Sequence, residues 1–136
     1  AKHEYENGKV IAMTGGTLIH SLIGANVVTA LNNALRALDK ACLVTNSDAK
    51  VYVDHAQSFV YPDAMVLCEP PLFHPKDQLA IINPVLIIEI LSKSTGHYDR
   101  GAKFRKYCSL PSFKEYVLID QEQPIVDTLY RDDPKS

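Results

Sequence analysis

The sequence is poor in cysteine and has no excess of basic residues. It contains three cysteines, Cys42, Cys68 and Cys108, and no CxxC pair. An odd number at wide spacing is atypical of a disulfide framework or a cysteine zinc site, so we expect reduced thiols in a cytoplasmic protein. The 14 basic and 16 acidic side chains give a formal charge of −2. Nucleic-acid binding by charge alone is therefore not expected, although a local basic patch is compatible with this balance.

Long apolar segments and the common catalytic signatures are also missing. The longest apolar run covers residues 85–88, with Ile90 and Leu91 after Glu89. This is far short of the roughly 20 residues that span a membrane, and no signal peptide is visible, so we expect no membrane association. Gly15-Gly16 is only a weak signal, because neither GxxxxGK nor GxGxxG is present. GxSxG, HExxH and kinase signatures are absent as well.

The sequence does contain the alternating helix and strand patterns of one ordinary domain. Apolar residues at helical spacing predict a long helix over residues 17–39, with Thr17 as its N-cap. Asn7-Gly8 predicts a hairpin turn near the N-terminus. We expect a second helix at residues 100–109 and further strands at residues 43–45, 49–53, 59–61, 64–67, 84–91, 115–119 and 125–130. This order predicts an α+β fold, an α/β sandwich in which helices flank a mixed sheet, with residues 1–136 as a single domain.

Two carboxylates stand out against this scaffold. Glu89 lies inside the apolar strand at residues 84–91, where a carboxylate is costly unless it is paired, protonated or bound to metal. Asp63 follows Pro62 at the start of another apolar strand. A structural salt bridge for Glu89 and a turn role for Asp63 are the alternatives. If the two strands are neighbours in one sheet, the pair suits a hard divalent cation such as Mg²⁺.

A basic segment follows the Glu89 strand. Its basic residues are Lys93, Arg100, Lys103, Arg105 and Lys106. On the predicted helix, Phe104, Tyr107 and Cys108 define the apolar face, and Lys103 lies roughly 90° from its centre. Lys106 lies roughly 150° away and points to solvent. Lys103 is therefore the candidate to reach the two carboxylates, and the other basic side chains are interpreted as a solvated face.

Three further residues are possible accessory groups, each with a structural alternative. His20 falls on the apolar face of the long helix, where it either packs in the core or lines the cleft. Glu4 precedes the first turn and is either an accessory metal ligand or an exposed strand-end charge. Asp48 precedes the strand at residues 49–53, where a turn role is the alternative.

Several short motifs occur in a characteristic order. They are HEYENGKVIAMTGG, TLIHSLIGANV, NSDAKVYV, YPD, EILSKST, YDRGAKFRKY and SFKEYVLID. Their order resembles the Uma-two family of restriction endonucleases, a bacterial branch of the PD-(D/E)XK nuclease superfamily. The resemblance implies a restriction-endonuclease-like fold and Mg²⁺-dependent hydrolysis of DNA phosphodiester bonds, with Mn²⁺ as a substitute. Family members usually extend further at the N-terminus, so we expect some leading family residues to be missing here.

The resemblance also implies which residues form the site. Asp63 matches the acid of the PD motif, and Glu89 matches the first position of the (D/E)XK element. The third position of that element is Leu91 instead of lysine. In this branch the lysine is displaced onto the following helix and matches Lys103, with Lys93 as the second choice.

The implied metal ligands are Asp63, Glu89 and the backbone carbonyl of Ile90, and His20 or Glu4 completes the shell. Lys103 then orients the metal-bound water or stabilises the transition-state charge. DNA is the implied substrate, and a homodimer would let two sites cut two strands. The alternatives are a catalytically inactive relative, acting as a DNA-binding or protein-interaction module, and a hydrolase acting on RNA or another phosphodiester.

Overall fold

The computed structural model describes residues 3–6, 8–12, 17–53, 57–92 and 100–132. Within these residues the helices are α1 (Leu18–Ala37) and α2 (Arg100–Tyr107). The strands are β1 (His3–Glu6), β2 (Lys9–Ala12), β3 (Leu43–Thr45), β4 (Lys50–Val53), β5 (Ser58–Val60), β6 (Ala64–Leu67), β7 (Phe73–His74), β8 (Asp77–Ile81), β9 (Leu86–Leu91), β10 (Glu115–Asp120) and β11 (Val126–Tyr130).

The strands form two mixed sheets. The six-stranded sheet has the order β2-β1-β5-β4-β8-β7, and the five-stranded sheet has the order β11-β10-β9-β6-β3. The predicted mixed α+β architecture is confirmed, but the strands are divided between two sheets. The strands differ in burial, because β4 and β5 bury every second residue whereas β6 is buried throughout. A strand that alternates has one face on the core and one towards solvent, and a continuously buried strand is covered on both faces.

The two helices lie on opposite faces of the five-stranded sheet. A Cβ added to Gly24 of α1 would lie 3.8 Å from Cδ1 of Ile90 in β9. The neighbouring residue of that strand, Glu89, contacts Tyr107 of α2 instead. Successive residues of a strand point to opposite faces, so α1 covers one face and α2 the other. The sequence predicts this arrangement, in which helices flank the sheet that carries Glu89.

The predicted helix boundaries are accurate to within two residues at each end. The Thr17 side chain caps α1 by accepting a hydrogen bond from the His20 backbone N–H at 3.2 Å. The N-terminal hairpin is also present, since β1 pairs with β2 in antiparallel register and Gly8 adopts a φ of +83°. That positive φ is readily adopted by glycine and rarely by other residues.

Helix α1 is only half-buried along its length. Its inner side carries a stripe at positions 20, 23, 24, 27, 28, 31, 32 and 35, which packs towards β3, β6 and β9. Its outer side exposes Leu18, Ile19 and Leu22. By length and composition α1 would also pass as a membrane-crossing helix, with a mean hydropathy of 1.2. Core helices of soluble proteins pass the same test, so this is weak evidence against the expectation of no membrane association.

The cysteines depart from the sequence-based expectation. Cys42 and Cys68 form a disulfide with a Cα–Cα distance of 4.2 Å, so the expectation of reduced thiols is wrong for these two residues. The reason is sheet register, because Leu43 pairs with Leu67 and this places Cys42 opposite Cys68. Cys108 is free and half-buried, and burial raises the pKa of its thiol. The cysteine content therefore no longer supports a cytoplasmic location, which stays a prediction.

Candidate functional site

Asp63 lies at the point where the chain enters the five-stranded sheet. It immediately precedes β6 and follows Pro62, which is fully buried. Its Oδ2 accepts a hydrogen bond of 2.8 Å from the Ile90 backbone N–H, and its Oδ1 lies 3.2 Å from His20 Nε2. The carboxylate is therefore held from two sides, by β9 and by α1.

Glu89 lies on the neighbouring strand. Ala64 of β6 pairs with Ile88 of β9, so the next step of the antiparallel register brings Asp63 opposite Glu89. Glu89 is only 9% exposed. A carboxylate buried this far needs hydrogen-bond donors or a cation to offset the loss of hydration. The structure supplies both.

Two tyrosines donate hydrogen bonds to the Glu89 carboxylate. The Tyr107 hydroxyl of α2 lies 3.2 Å from Oε1, and the Tyr116 hydroxyl of β10 lies 2.8 Å from Oε2. Both tyrosines are fully buried members of the hydrophobic core. Tyr116 can reach Glu89 because β10 runs parallel to β9 and pairs Tyr116 with Ile87, which lies on the same face as Glu89.

Lys103 is the cation at this carboxylate. Its Nζ lies 3.6 Å from Glu89 Oε1, and its side chain is about a quarter exposed. Lys103 lies four residues before Tyr107 on α2, so both side chains project from the same side of the helix towards Glu89. Leu91, at the position where the nuclease motif carries lysine, is half-buried in β9.

The surroundings of Asp63 disfavour its negative charge. Burial is the largest cause and raises its pKa, and the charge of Glu89 acts in the same direction. The Ile90 N–H and His20 act against this shift without cancelling it. A cation between two such carboxylates would stabilise the ionised form of both.

A cleft of about 410 Å³ opens beside Asp63, on the α1 side of the sheet. Its lining residues are His20, Ser21, Gly24, Ala25, Val28, Asn46, Ser47 and Asp63. Gly24, Ala25 and Val28 of α1 are small or apolar, and the other lining residues are polar. Asp63 therefore faces an open cleft, whereas Glu89 is held against the tyrosines of α2 and β10.

The other predicted site residues lie elsewhere or outside the described residues. Asp48 lies in the turn between β3 and β4, where its N–H donates to Asn46 Oδ1 at 2.9 Å. Glu4 pairs with Ile11 in the hairpin of the six-stranded sheet, and its side chain is outside the described residues. Lys93 is outside them as well. The structure thus brings together Asp63, His20, Glu89 and Lys103.

The donor set fits a hard cation of the Mg²⁺ type. Among the residues that the structure describes, no group of three or more His, Cys, Asp or Glu side chains is placed to hold a metal. Mg²⁺ does not require such a group, because it keeps several waters and usually binds one or two carboxylates. An ionised carboxylate offers about four lone-pair sites and donates no proton, which makes it a suitable ligand for a hard cation. Asp63, Glu89 and the Ile90 carbonyl are the groups that would hold it.

The tyrosine donors are the part of the site that the sequence did not reveal. Tyr107 is predicted only as a core residue of α2, and Tyr116 only as part of a strand. A signal was available, because a carboxylate within an apolar strand needs donors, and tyrosine is the residue that combines a core-forming ring with a hydroxyl. The sequence gives no indication of which tyrosines meet Glu89.

Comparison with known proteins identifies the family to which the chain belongs. The family model described as "Uma2: Putative restriction endonuclease" matches residues 1–135. The chain belongs to this family. The resemblance found in the sequence motifs is thereby confirmed at the level of the family.

Individual relatives agree with the family at the level of sequence and fold. An uncharacterized protein of Synechocystis sp. is 37% identical over 132 residues, which is 97% of this chain and 67% of that protein. A second uncharacterized protein of the same organism is 35% identical over 120 residues, or 88% of this chain and 67% of that protein. A crystal structure from Anabaena variabilis, titled a putative nuclease belonging to DUF820, matches with a TM-score of 0.64 and 20% identity, covering 98% of this chain and 78% of that one. At this identity the likeness shows the fold.

Proposed function

We propose that the protein is an Mg²⁺-dependent endonuclease that hydrolyses DNA phosphodiester bonds with Asp63, Glu89 and Lys103. The observation that carries the proposal is the juxtaposition of the two carboxylates. Asp63 and Glu89 come from neighbouring antiparallel strands, and Lys103 Nζ lies 3.6 Å from Glu89. Membership of a nuclease family supplies the reaction class.

Each residue has a separate task in this mechanism. Asp63, Glu89 and the Ile90 carbonyl would hold Mg²⁺, for which Mn²⁺ can substitute. When bound, the ion lowers the pKa of a water ligand and offsets charge that develops on the phosphate. The Lys103 ammonium donates a hydrogen bond to the attacking water or to the phosphate oxygens. His20 holds the Asp63 carboxylate from the α1 side and thereby fixes its orientation.

In the proposed mechanism Lys103 takes the part of the lysine that the nuclease motif carries at position 91. A lysine at position 91 would follow Glu89 by two residues on the same face of β9. Leu91 occupies that position. Lys103 approaches the same carboxylate from α2, which supports its assignment as the lysine of the proposed mechanism.

Cleavage of supercoiled plasmid DNA with increasing Mg²⁺ tests this proposal. We expect Asp63→Asn, Glu89→Gln and Lys103→Met to abolish or strongly reduce cleavage while circular dichroism shows folded protein. Arg105→Met is the matched control, because it removes an exposed basic side chain from the same helix. Calorimetric titration with Mg²⁺ or Mn²⁺ should show binding that Asp63→Asn and Glu89→Gln both lose. Parental cleavage rates in the Asp63→Asn variant would overturn the proposal.

A non-catalytic module is the second candidate, because both Glu89 oxygens are held by tyrosine hydroxyls and position 91 lacks lysine. This candidate predicts DNA or protein binding that persists without metal and survives Glu89→Gln. The endonuclease predicts cleavage that the same substitution abolishes. Plasmid cleavage and binding measured side by side therefore separate the two functions.

We also propose that two copies of the chain associate, so that two sites face the two strands of DNA. Strand β11 supports this proposal, because it is an edge strand of the five-stranded sheet and exposes Val126 and Tyr130. An exposed apolar edge strand is a template for pairing with another chain. Light scattering coupled to gel filtration measures the mass directly, and a strictly monomeric protein at working concentration would contradict this part.

A further inference from the structure

The cleft beside Asp63 offers neutral hydrogen-bond donors. Its other polar lining residues are His20, Ser21, Asn46 and Ser47. Among the lining residues that the structure describes there is no lysine or arginine. Apart from a cation bound at Asp63, an anionic ligand in this cleft is therefore held by amide, hydroxyl or imidazole groups.

Asn46 is brought to the cleft by the end of strand β3. This strand ends at Thr45, which pairs with Met65 of β6 in antiparallel register. The next two steps of the register bring Asn46 and then Ser47 alongside the start of β6, where Asp63 lies. Neighbouring strands are about 4.8 Å apart, so Asn46 lies one strand away from the carboxylate.

A hydrogen bond within the turn after β3 orients the amide of Asn46. The Asp48 backbone N–H donates to Asn46 Oδ1 at 2.9 Å, a turn that asparagine side chains commonly form with the backbone two residues on. Because a backbone N–H is only a donor, its partner is the carbonyl oxygen of the amide. The two N–H groups on Nδ2 take no part in this bond. Since Asn46 also lines the cleft, the turn holds a pair of amide donors at the edge of the cleft.

The size and the charge of the cleft suit a phosphodiester bound by such donors. Its volume of about 410 Å³ lies within the range of roughly 300–1,000 Å³ that is usual for small-ligand sites. The charged oxygens of a phosphodiester accept hydrogen bonds. A lysine at the position of Asn46 would be attracted to the Asp63 carboxylate and would compete with a metal ion for it. An amide donates to phosphate without that competition.

We propose that Asn46 is a substrate-binding residue whose amide N–H groups donate hydrogen bonds to a non-bridging oxygen of the phosphodiester beside Asp63. The inference rests on the proposed function in one respect, that a phosphodiester occupies this cleft. The oxygen is charged before cleavage as well as during it, so the hydrogen bonds stabilise the bound substrate and the transition state alike. Their loss should therefore raise KM more than it lowers kcat.

Two substitutions of Asn46 separate phosphate binding from a role in the turn alone. Asn46→Asp keeps an oxygen that accepts the Asp48 N–H and removes both amide donors. Asn46→Ala removes the donors without adding charge. Weaker phosphodiester binding by both variants supports the inference. Weaker binding by Asn46→Ala alone would assign the residue to the turn, and weaker binding by Asn46→Asp alone would be repulsion by the added carboxylate. Either of these two results would overturn the inference.

Nuclear magnetic resonance of the isotope-labelled full chain measures the contact directly. The probe is the thymidine dinucleotide TpT, which contains a single phosphodiester, titrated in the presence of Mg²⁺. TpT should shift the side-chain N–H signals of Asn46, which are identified by their absence in Asn46→Asp. The signals of Asn33, which is exposed on α1 and outside the cleft lining, should not move. Asn46 signals that do not respond to TpT would overturn the inference.

The backbone signals of the cleft residues report the affinity of each variant for TpT. Both Asn46 variants should bind about 10-fold to 100-fold more weakly than the parent, the range for a hydrogen bond to a charged group. Asn33→Asp makes the same chemical change outside the cleft lining and should bind like the parent. The same spectra show whether each variant is folded.

Failure of this inference can be told apart from failure of the proposed function. Asp63→Asn should lose cleavage but still show the Asn46 shift with TpT, because it removes a charge that opposes the phosphate. A shift in a parent that never cleaves would refute the endonuclease and leave Asn46 as part of a phosphodiester-binding site. Cleavage by the parent with parental KM in both Asn46 variants would refute the role of Asn46 alone.

Discussion

Removing the Tyr116 hydroxyl should destabilise the protein through Glu89. The substitution Tyr116→Phe deletes one oxygen and leaves the ring, so core packing is preserved. The deleted hydroxyl donates a hydrogen bond of 2.8 Å to Oε2 of a carboxylate that is 9% exposed. Water has little access to replace the lost donor, so Glu89 is left under-satisfied.

The expected size follows from the geometry of the two tyrosine contacts. Hydrogen bonds to charged groups contribute about 1.5–3 kcal/mol to stability. The Tyr116 contact is short and fully buried, so we expect Tyr116→Phe to lower the free energy of unfolding by about 2 kcal/mol. Tyr107→Phe should cost less, about 1 kcal/mol, because its contact with Oε1 is 3.2 Å and Lys103 also approaches that oxygen.

Urea denaturation followed by circular dichroism measures these losses, with Tyr130→Phe as the exposed control. A double-mutant cycle with Glu89→Gln isolates the pairwise contribution of Tyr116 and Glu89. A loss within about 0.5 kcal/mol for Tyr116→Phe, the range typical of surface changes, would refute the reasoning. So would a loss in Tyr107→Phe that exceeds the loss in Tyr116→Phe.

Three further predictions concern other parts of the fold. The Cys42–Cys68 disulfide links residues 26 apart, so its reduction or Cys68→Ser should lower the free energy of unfolding by about 3.5 kcal/mol in urea titrations. Cys108→Ser is the control, and reductant should destabilise it as much as the parent. The Lys50 side chain and the Leu79 N–H lower the pKa of Asp77. The stability that ionised Asp77 contributes is therefore fully present above its ordinary pKa of 3.8 and is lost as pH falls through the lowered pKa. In urea titrations at different pH, Asp77→Asn should make the free energy of unfolding depend less on pH in that window. Thr17→Ala removes the side chain that caps α1 and that also accepts a 3.0 Å hydrogen bond from Gln121. It should lower the free energy of unfolding, measured by thermal unfolding, by about 1 kcal/mol, and Thr29→Ala is the comparison in the middle of the same helix.

The features that the sequence predicts well are those that depend on neighbouring residues. Helix α1 could be predicted because its apolar stripe repeats every three to four residues and Thr17 caps it. The motifs YPD and EILS identified Asp63 and Glu89 through family resemblance. Their placement opposite each other required only that two apolar strands be neighbours, which is frequent in a small mixed sheet.

The features that were missed depend on pairing between distant segments. The Cys42–Cys68 bond follows from the register of β3 with β6, and a shift of one residue would move the two thiols apart. The Tyr116 hydroxyl meets Glu89 across 27 residues of sequence, through parallel pairing of β9 with β10. No local pattern encodes either register, so composition and periodicity alone cannot supply them.

The division of the strands into two sheets determines the position of Asp63. The chain leaves β5 of the six-stranded sheet at Val60 and enters β6 of the five-stranded sheet at Ala64. Asp63 ends the crossing, where its side chain can accept the Ile90 N–H and still meet His20 and the cleft. Within β6 the same carboxylate would be fully enclosed, since all four residues of that strand are buried. The connection between the two sheets thus places the Asp63 carboxylate beside buried Glu89 with one side open to the cleft.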